Sequence, residues 1–227
     1  MKKVLIVGGS KGIGKSIVAK MNSSYQLINI SRTEPIGFLE EIEHHSCDIL
    51  TDELPEIEHL DALIYCPGSI NLKPVSRLSV SDFKNDFDIN VLGAVRVIQQ
   101  YLKALKSGND PSVVMFSSVA VKMGMPFHAS IAVAKAGVEA LVRSLGAELA
   151  PHIRFNGIAP TITNTGLATK LLRSDVMKEK MKDRHPMKTY LEPDDVADMT
   201  EFLISDKSKR ISGQIIELDC GIVSFKL

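Results

Sequence analysis

The stretch VGGSKGIGKSI, residues 7–17, constrains the fold more than any other. An apolar run, VLIV (4–7), precedes it, and a helical pattern (13–22) grows out of it. Gly8, Gly12 and Gly14 are spaced G-x-x-x-G-x-G. A strand that turns through glycine into a helix leaves the first helical N–H groups without partners and aims them at the loop. That is an anion cradle, and a dinucleotide site needs its parts: a tight turn, close backbone approach to a pyrophosphate, and a helix N-terminus facing negative charge. A glycine-rich turn without a ligand can carry the same letters. The position between strand and helix, at the head of an alternating chain, favours nucleotide binding.

The alternation continues. QLINI (26–30), ALIY (62–65), SVVMF (112–116), IRFNGI (153–158) and QIIEL (214–218) read as short strands, with a weaker candidate at 45–48. Each is a nearly unbroken apolar run, as a strand covered on both faces requires. Helical patterns fall at 79–106, 129–150 and 193–205, with Ser81 and Asp194 as candidate caps and Pro193 at a helix start. Within the third pattern, Val138, Leu141, Leu145 and Leu149 form a core stripe, while Ala132, Ala136 and Gly146 permit close helix approach. Strands alternating with helices predict an α/β fold: a single-domain, Rossmann-like, doubly wound parallel sheet over 1–227, with helices on both faces. Residues 160–192 carry no strand signal and are a candidate substrate lid.

Composition narrows the partners. Of 227 residues, 27 are basic and 27 acidic, so net charge offers no attraction to nucleic acid or an anionic membrane. Cys47, Cys66 and Cys220 are scattered, with no metal-ligand or CxxC spacing, which suits a reducing, cytoplasmic setting. The apolar start is too short for a signal peptide, and no run reaches membrane-spanning length.

The second strand ends in NISRTE (29–34). An NAD site places a carboxylate here for the ribose hydroxyls. This chain has Ile30 and Ser31, then Arg32, with Lys11 in the glycine loop. Two cations beside the ribose suit a 2′-phosphate, so NADP(H) is favoured over NAD(H).

Taken with further stretches, these residues resemble the short-chain dehydrogenase/reductase family along essentially the whole chain. The loop matches T-G-x-x-x-G-x-G with Val7 for threonine; CDIL (47–50), INVLG (89–93), FSSVA (116–120) and IRFNGIAPT (153–161) match family segments, and YCPG (65–68) occupies the N-N-A-G position but keeps only Gly68. So do HPMKTYLEPDDVADMTEFLISD (185–206) and ISGQIIELDCG (211–221). The resemblance implies cofactor contacts from Gly8, Ser10, Lys11, Gly12, Ile13, Gly14 and Arg32. It implies further contacts from Asp48 to the adenine amino group, and from Gly68, Lys135, Pro160 and Ile162. It makes Asn90, Ser118 and Lys135 the active-site residues and implies a homodimer or homotetramer acting on a small-molecule substrate or ligand. Thr161 stands where the family usually has glycine.

The family's central motif is Y-x-x-x-K. Lys135 matches the lysine, and Ile131 stands at the tyrosine position, thirteen residues after Ser118. By resemblance, the serine bonds the developing oxyanion and the tyrosine donates the proton. The lysine lowers the phenol pKa and holds the ribose, and the asparagine holds a relay water. Isoleucine has no proton to give, and losing a positioned acid costs ~10²–10⁴-fold. His128, three residues before Ile131, is a candidate substitute donor, set against an ordinary histidine bonded to backbone or water; Tyr65 and Tyr190 are candidates by type alone. Without the family motif, Lys135 reads as a surface partner of Glu139. Met123 and Met125 read as gap-fillers or the wall of an apolar pocket. Two functions follow: an NADP(H)-dependent oxidoreductase with an altered site, reducing C=O, C=C or C=N, or a retired NADP(H)-binding sensor or ligand-binding protein.

Overall fold

Each apolar run becomes a strand because it can bury both faces at once. The computed structural model describes residues 1–35, 37 and 42–225. Its first half runs β1 (Lys3–Val7), α1 (Gly12–Met21), β2 (Gln26–Ser31), β3 (Glu43–Ser46), β4 (Ala62–Tyr65), α2 (Val80–Phe87) and α3 (Gly93–Lys106). The second half runs β5 (Ser112–Phe116), α4 (Ala129–Leu149), β6 (Arg154–Pro160), α5 (Asp175–Arg184), α6 (Pro193–Ile204) and β7 (Ile215–Leu218). The seven strands form one sheet, ordered β3-β2-β1-β4-β5-β6-β7. Every pairing is parallel, as the alternation predicts.

Alternate residues of β1 serve opposite layers. Leu5 and Val7 pack with Val97 of α3 and Val142 of α4; Val4 and Ile6 pack with Ile17 of α1 and Val196 of α6. The chain winds outward in one direction from β1 and in the other from β4. Those neighbours therefore form the crevice where open α/β sheets bind ligands, at the strand C-termini.

The structure corrects several boundaries. The helix expected over 79–106 is two helices joined by a π-helical turn, Asp88–Leu92. The cap of α2 is Ser79, not Ser81: Ser79 Oγ accepts from Asp82 N at 3.2 Å while the Asp82 carboxylate accepts from Ser79 N at 2.9 Å. At α6 the same reciprocal arrangement makes Glu192, not Asp194, the cap, with Pro193 in the first turn as expected. The weak strand lies at Glu43–Ser46 rather than 45–48; its pairing with β2 ends at Ser46, opposite Ser31. Residues 160–192 contain a 3-10 turn at Gly166–Ala168, the helix α5, and a single bridge between Thr163 and Leu191. Gly146 approaches Gly213 and Phe155. Among the described residues, no helix is long and apolar enough to cross a membrane.

Candidate active site

The glycine loop has the geometry its spacing predicts. Gly8 and Gly12 hold φ at +84° and +52°, which L side chains rarely adopt. A Cβ on Gly14 would stand 2.2 Å from the Gly8 carbonyl oxygen, so only glycine lets α1 close against the loop. Lys11 precedes α1 in extended conformation, and the helix has neither a side-chain cap nor an acid in its first turn. Its leading N–H groups are available to an anion. Thr33 Oγ1 donates to Ser10 Oγ at 3.0 Å, joining the loop to the end of β2. Arg32, just past β2, brings its exposed guanidinium 4.0 Å from the carboxylate of Asp48, just past β3. Such an exposed pair is weak, leaving the guanidinium available to a phosphate. A cradle that excludes Cβ atoms, open N–H donors and an exposed guanidinium fit a phosphorylated dinucleotide.

Beyond the loop, a pocket of about 270 Å³ opens over the ends of β4, β5 and β6. Ile13, Gly68, Ser118, His128, Lys135, Pro160 and Ile162 line it, each a sequence-predicted site residue. Its wall is largely apolar: Phe116, Met123, Met125, Ile131, Leu167 and Leu171 contribute. Ile131 is 5% exposed and, like Lys135 one turn later, faces the pocket.

Ser118 lies two residues past β5 and caps a short 3-10 turn, accepting from Ala120 N at 3.2 Å. With its oxygen used as an acceptor there, its proton is free to donate into the pocket. Lys135 Nζ donates to the Phe116 carbonyl at 2.8 Å and does not pair with Glu139. Glu139 instead accepts from Ser117 Oγ at 2.8 Å and from Arg143 at 2.9 Å. Desolvation lowers the Lys135 pKa to about 8, against the support of Cys66 and Asp86. Burial also pushes the Cys66 thiol up to about 12. Cys66 is therefore neutral at ordinary pH, and the Asp86 carboxylate is the charge that favours the ammonium.

Asn90 sits in the π-helical turn, 1% exposed, with Nδ2 donating to the Asp86 carbonyl at 2.8 Å and to Ser69 Oγ at 3.2 Å. Ser69 Oγ in turn donates to Asp86 Oδ1 at 2.5 Å. Asn90 Oδ1 and Asp86 Oδ2 are buried without hydrogen-bond partners. A Cβ placed on Gly68 would lie 3.3 Å from Asn90 Oδ1 and 3.4 Å from Lys135 Nζ, so these two polar groups converge over Gly68.

The other proton-donor candidates separate clearly. His128 reaches the pocket, but its Nδ1 donates to the Pro126 carbonyl at 2.7 Å, since a carbonyl can only accept. Tyr65 faces the sheet interior: its hydroxyl donates to the Ile89 carbonyl at 2.6 Å, and burial pushes its pKa well above the usual phenol range. Tyr190 lies outside the pocket lining.

Three features are absent from the sequence reading. Gly9 is needed as much as its neighbours, because a Cβ there would meet Asn29 Oδ1 at 2.5 Å; the GG doublet was its signal. Thr161 and His185, both buried, join across the pocket wall at 2.8 Å. The Ser69–Asp86 pair had one faint signal, an acid inside the otherwise helical stretch FKNDFDIN (83–90).

Residues 44–223 match the family model described as enoyl-(acyl carrier protein) reductase. Carbonyl reductase (NADPH) 2 of Sus scrofa is 27% identical over 235 residues, covering 98% of this chain and 96% of that protein. The 3-oxoacyl-(acyl-carrier-protein) reductase of Staphylococcus epidermidis is 26% identical over 242 residues, covering 97% and 98%. Among solved structures, ElxO with NADP bound superposes with a TM-score of 0.87 at 24% identity, covering 99% of this chain and 100% of that one. Thermoplasma acidophilum aldohexose dehydrogenase, ligand-free, gives 0.90 at 21% identity, covering 99% and 95%.

Proposed function

The chain belongs to the short-chain dehydrogenase/reductase family, and from that premise we propose that it is an NADP(H)-dependent oxidoreductase whose site lacks the usual phenol. The observation that carries this reading is that Ser118 and Lys135 line one pocket, with Asn90 Oδ1 meeting Lys135 over Gly68, beside an anion-ready glycine loop. The cofactor, when bound, supplies or accepts hydride. Gly8, Gly12, Gly14 and the start of α1 hold its pyrophosphate, with Ser10, Lys11 and Ile13 along the loop; Arg32 takes a 2′-phosphate and Asp48 the adenine amino group. Gly68, Pro160 and Ile162 shape the nicotinamide end. That a relative carries NADPH in its name and a structural neighbour holds NADP supports the preference.

Ser118 donates to the substrate oxygen as charge develops there, and the Lys135 ammonium stabilises that charge in a largely apolar surround. Ile131 leaves the phenol's place empty of a proton. The substrate is a small molecule with a reducible C=O, C=C or C=N bond, and segment 160–192 closes over it. Reductase names among the relatives support catalysis over a sensing role. Apolar side chains exposed on adjoining surfaces, Val80, Phe87, Leu92 and Val133, support a homo-oligomer across α2 and α4.

The test is a titration with NADPH and NADH, followed by NADPH oxidation against ketones, enones and imines. Tight NADPH binding with turnover is expected. Binding without turnover would favour the sensor; no binding would overturn the dinucleotide site.

A further inference from the structure

We propose that Ser69 and Asp86 form the acid–base unit of this site, replacing the missing phenol: Ser69 contacts the substrate oxygen and Asp86 acts through it. The inference rests on the oxidoreductase reading.

The hydrogen bonds orient Ser69. Its Oγ–H points at Asp86 Oδ1, 2.5 Å away, and Asn90 Nδ2 donates to the same Oγ at 3.2 Å. A hydroxyl has one donor and two acceptor positions. One acceptor position of Ser69 thus remains, and the residue lines the pocket. Behind it, Asp86 is 3% exposed, and its Oδ2 has no hydrogen-bond partner. A buried carboxylate left half satisfied is costly. Asp86 is the one buried residue of α2, and its charge also favours the Lys135 ammonium. The charged neighbours are few. Lys135 approaches from α4, and the thiol of Cys66 follows β4. One turn back on α2, Asp82 is already held by Lys73 at 2.8 Å and by Asn71 at 3.0 Å.

In alcohol oxidation, the C–H bond breaks and its electron pair leaves as hydride to the oxidised nicotinamide. The O–H bond breaks with its proton passing to Ser69 Oγ, while the Ser69 proton passes to Asp86 Oδ1; the C=O bond forms. Reduction reverses each transfer. The carboxylic acid of Asp86 returns its proton to Ser69, and Ser69 protonates the alkoxide.

The experiment compares Asp86→Asn, Ser69→Ala and Ser69→Thr with wild type, alone and in an Ile131→Tyr background. It measures NADPH binding by fluorescence, kcat and KM separately, and kcat against pH. Asp86→Asn keeps an acceptor for Ser69 but cannot take its proton. NADPH affinity is expected to stay within about twofold. For Asp86→Asn and Ser69→Ala, kcat should fall by ~10²-fold or more with KM little changed. The pH dependence of kcat should flatten, and Ser69→Thr should retain most of the rate. With a phenol restored by Ile131→Tyr, Asp86→Asn should matter far less. Unchanged kcat and pH profile in both Asp86→Asn and Ser69→Ala would overturn the relay. If Asp86→Asn does not fold, Ser69→Ala against Ser69→Thr decides alone. Wild type inactive while Ile131→Tyr turns over would also overturn the relay yet leave the cofactor reading intact. Failure to bind NADPH at all would remove both.

Discussion

Thr161 Oγ1 and His185 Nε2 lie 2.8 Å apart, and this bond ties the end of β6 to the end of α5. The tautomer is fixed by a second contact. His185 Nδ1 stands 2.7 Å from the Met181 carbonyl, so in the neutral ring Nδ1 carries the proton and Nε2 accepts from Thr161. Segment 160–192 is therefore latched to the sheet at a buried point.

Thr161→Val should release that latch. It keeps the shape but strands a buried imidazole nitrogen, at a cost of ~1–3 kcal/mol. Thermal unfolding should fall by ~2–4 °C for each kcal/mol lost, and proteolytic cleavage within 166–184 should quicken. Thr161→Ser, which keeps the donor, should restore both. Equal losses in the two variants would mean that packing, not the hydrogen bond, holds the segment.

The Thr161–His185 pair also marks where sequence reading stops. The glycine loop, the strands and the Ser118–Lys135 spacing were legible because each depends on local periodicity or a short fixed offset. The partners of Thr161 and Asp86 lie 24 and 17 residues away and meet only once the segments fold over the sheet. The capping shift from Ser81 to Ser79 failed for a different reason. Both serines are good caps by type, and the reciprocal bond with Asp82, which residue spacing allows for Ser79 alone, decides between them.

Lys135 makes stability depend on pH in a defined window. Its folded pKa is lowered to about 8 from 10.5. Between those values the unfolded chain binds more protons than the folded one, so stability rises with pH there. Below about pH 8 both states are protonated, and the full penalty of the enclosed ammonium stands; above 10.5 it has vanished. The shift corresponds to ~3 kcal/mol. Chemical denaturation at pH 7.5 and pH 10 should show this rise in wild type and lose it in Lys135→Met. The same variant should bind NADPH at least tenfold more weakly. A rise of equal size in Lys135→Met would assign the titration elsewhere.

The proposed preference for NADP(H) rests on Arg32. Its guanidinium is exposed and only loosely paired with Asp48, so exchanging that partner for a phosphate costs little. Arg32→Ala should weaken NADPH binding by roughly 10–100-fold, leave NADH within about twofold, and reduce the salt sensitivity of NADPH binding. A parallel loss for both cofactors would show that Arg32 serves the fold of the β2–α1 region and not the 2′-phosphate.

Ile131→Tyr tests the proposed loss of the phenol most directly. Ile131 faces the pocket one helical turn before Lys135, and the cavity of about 270 Å³ leaves room for a ring to extend from that position. A phenol there would stand near an ammonium, which favours the phenolate and so lowers the pKa of the new hydroxyl toward neutrality. It would also place a proton opposite the Ser118 donor. Reduction of any accepted ketone should rise by at least tenfold, a modest share of the ~10²–10⁴ that a positioned acid supplies. The pH profile of kcat should acquire the titration of the new group. A rate that does not change, in a variant that folds and binds NADPH as wild type does, would mean that proton delivery is already complete without the phenol. The question would then pass to the polar groups across the pocket, Ser69 and Asp86 first.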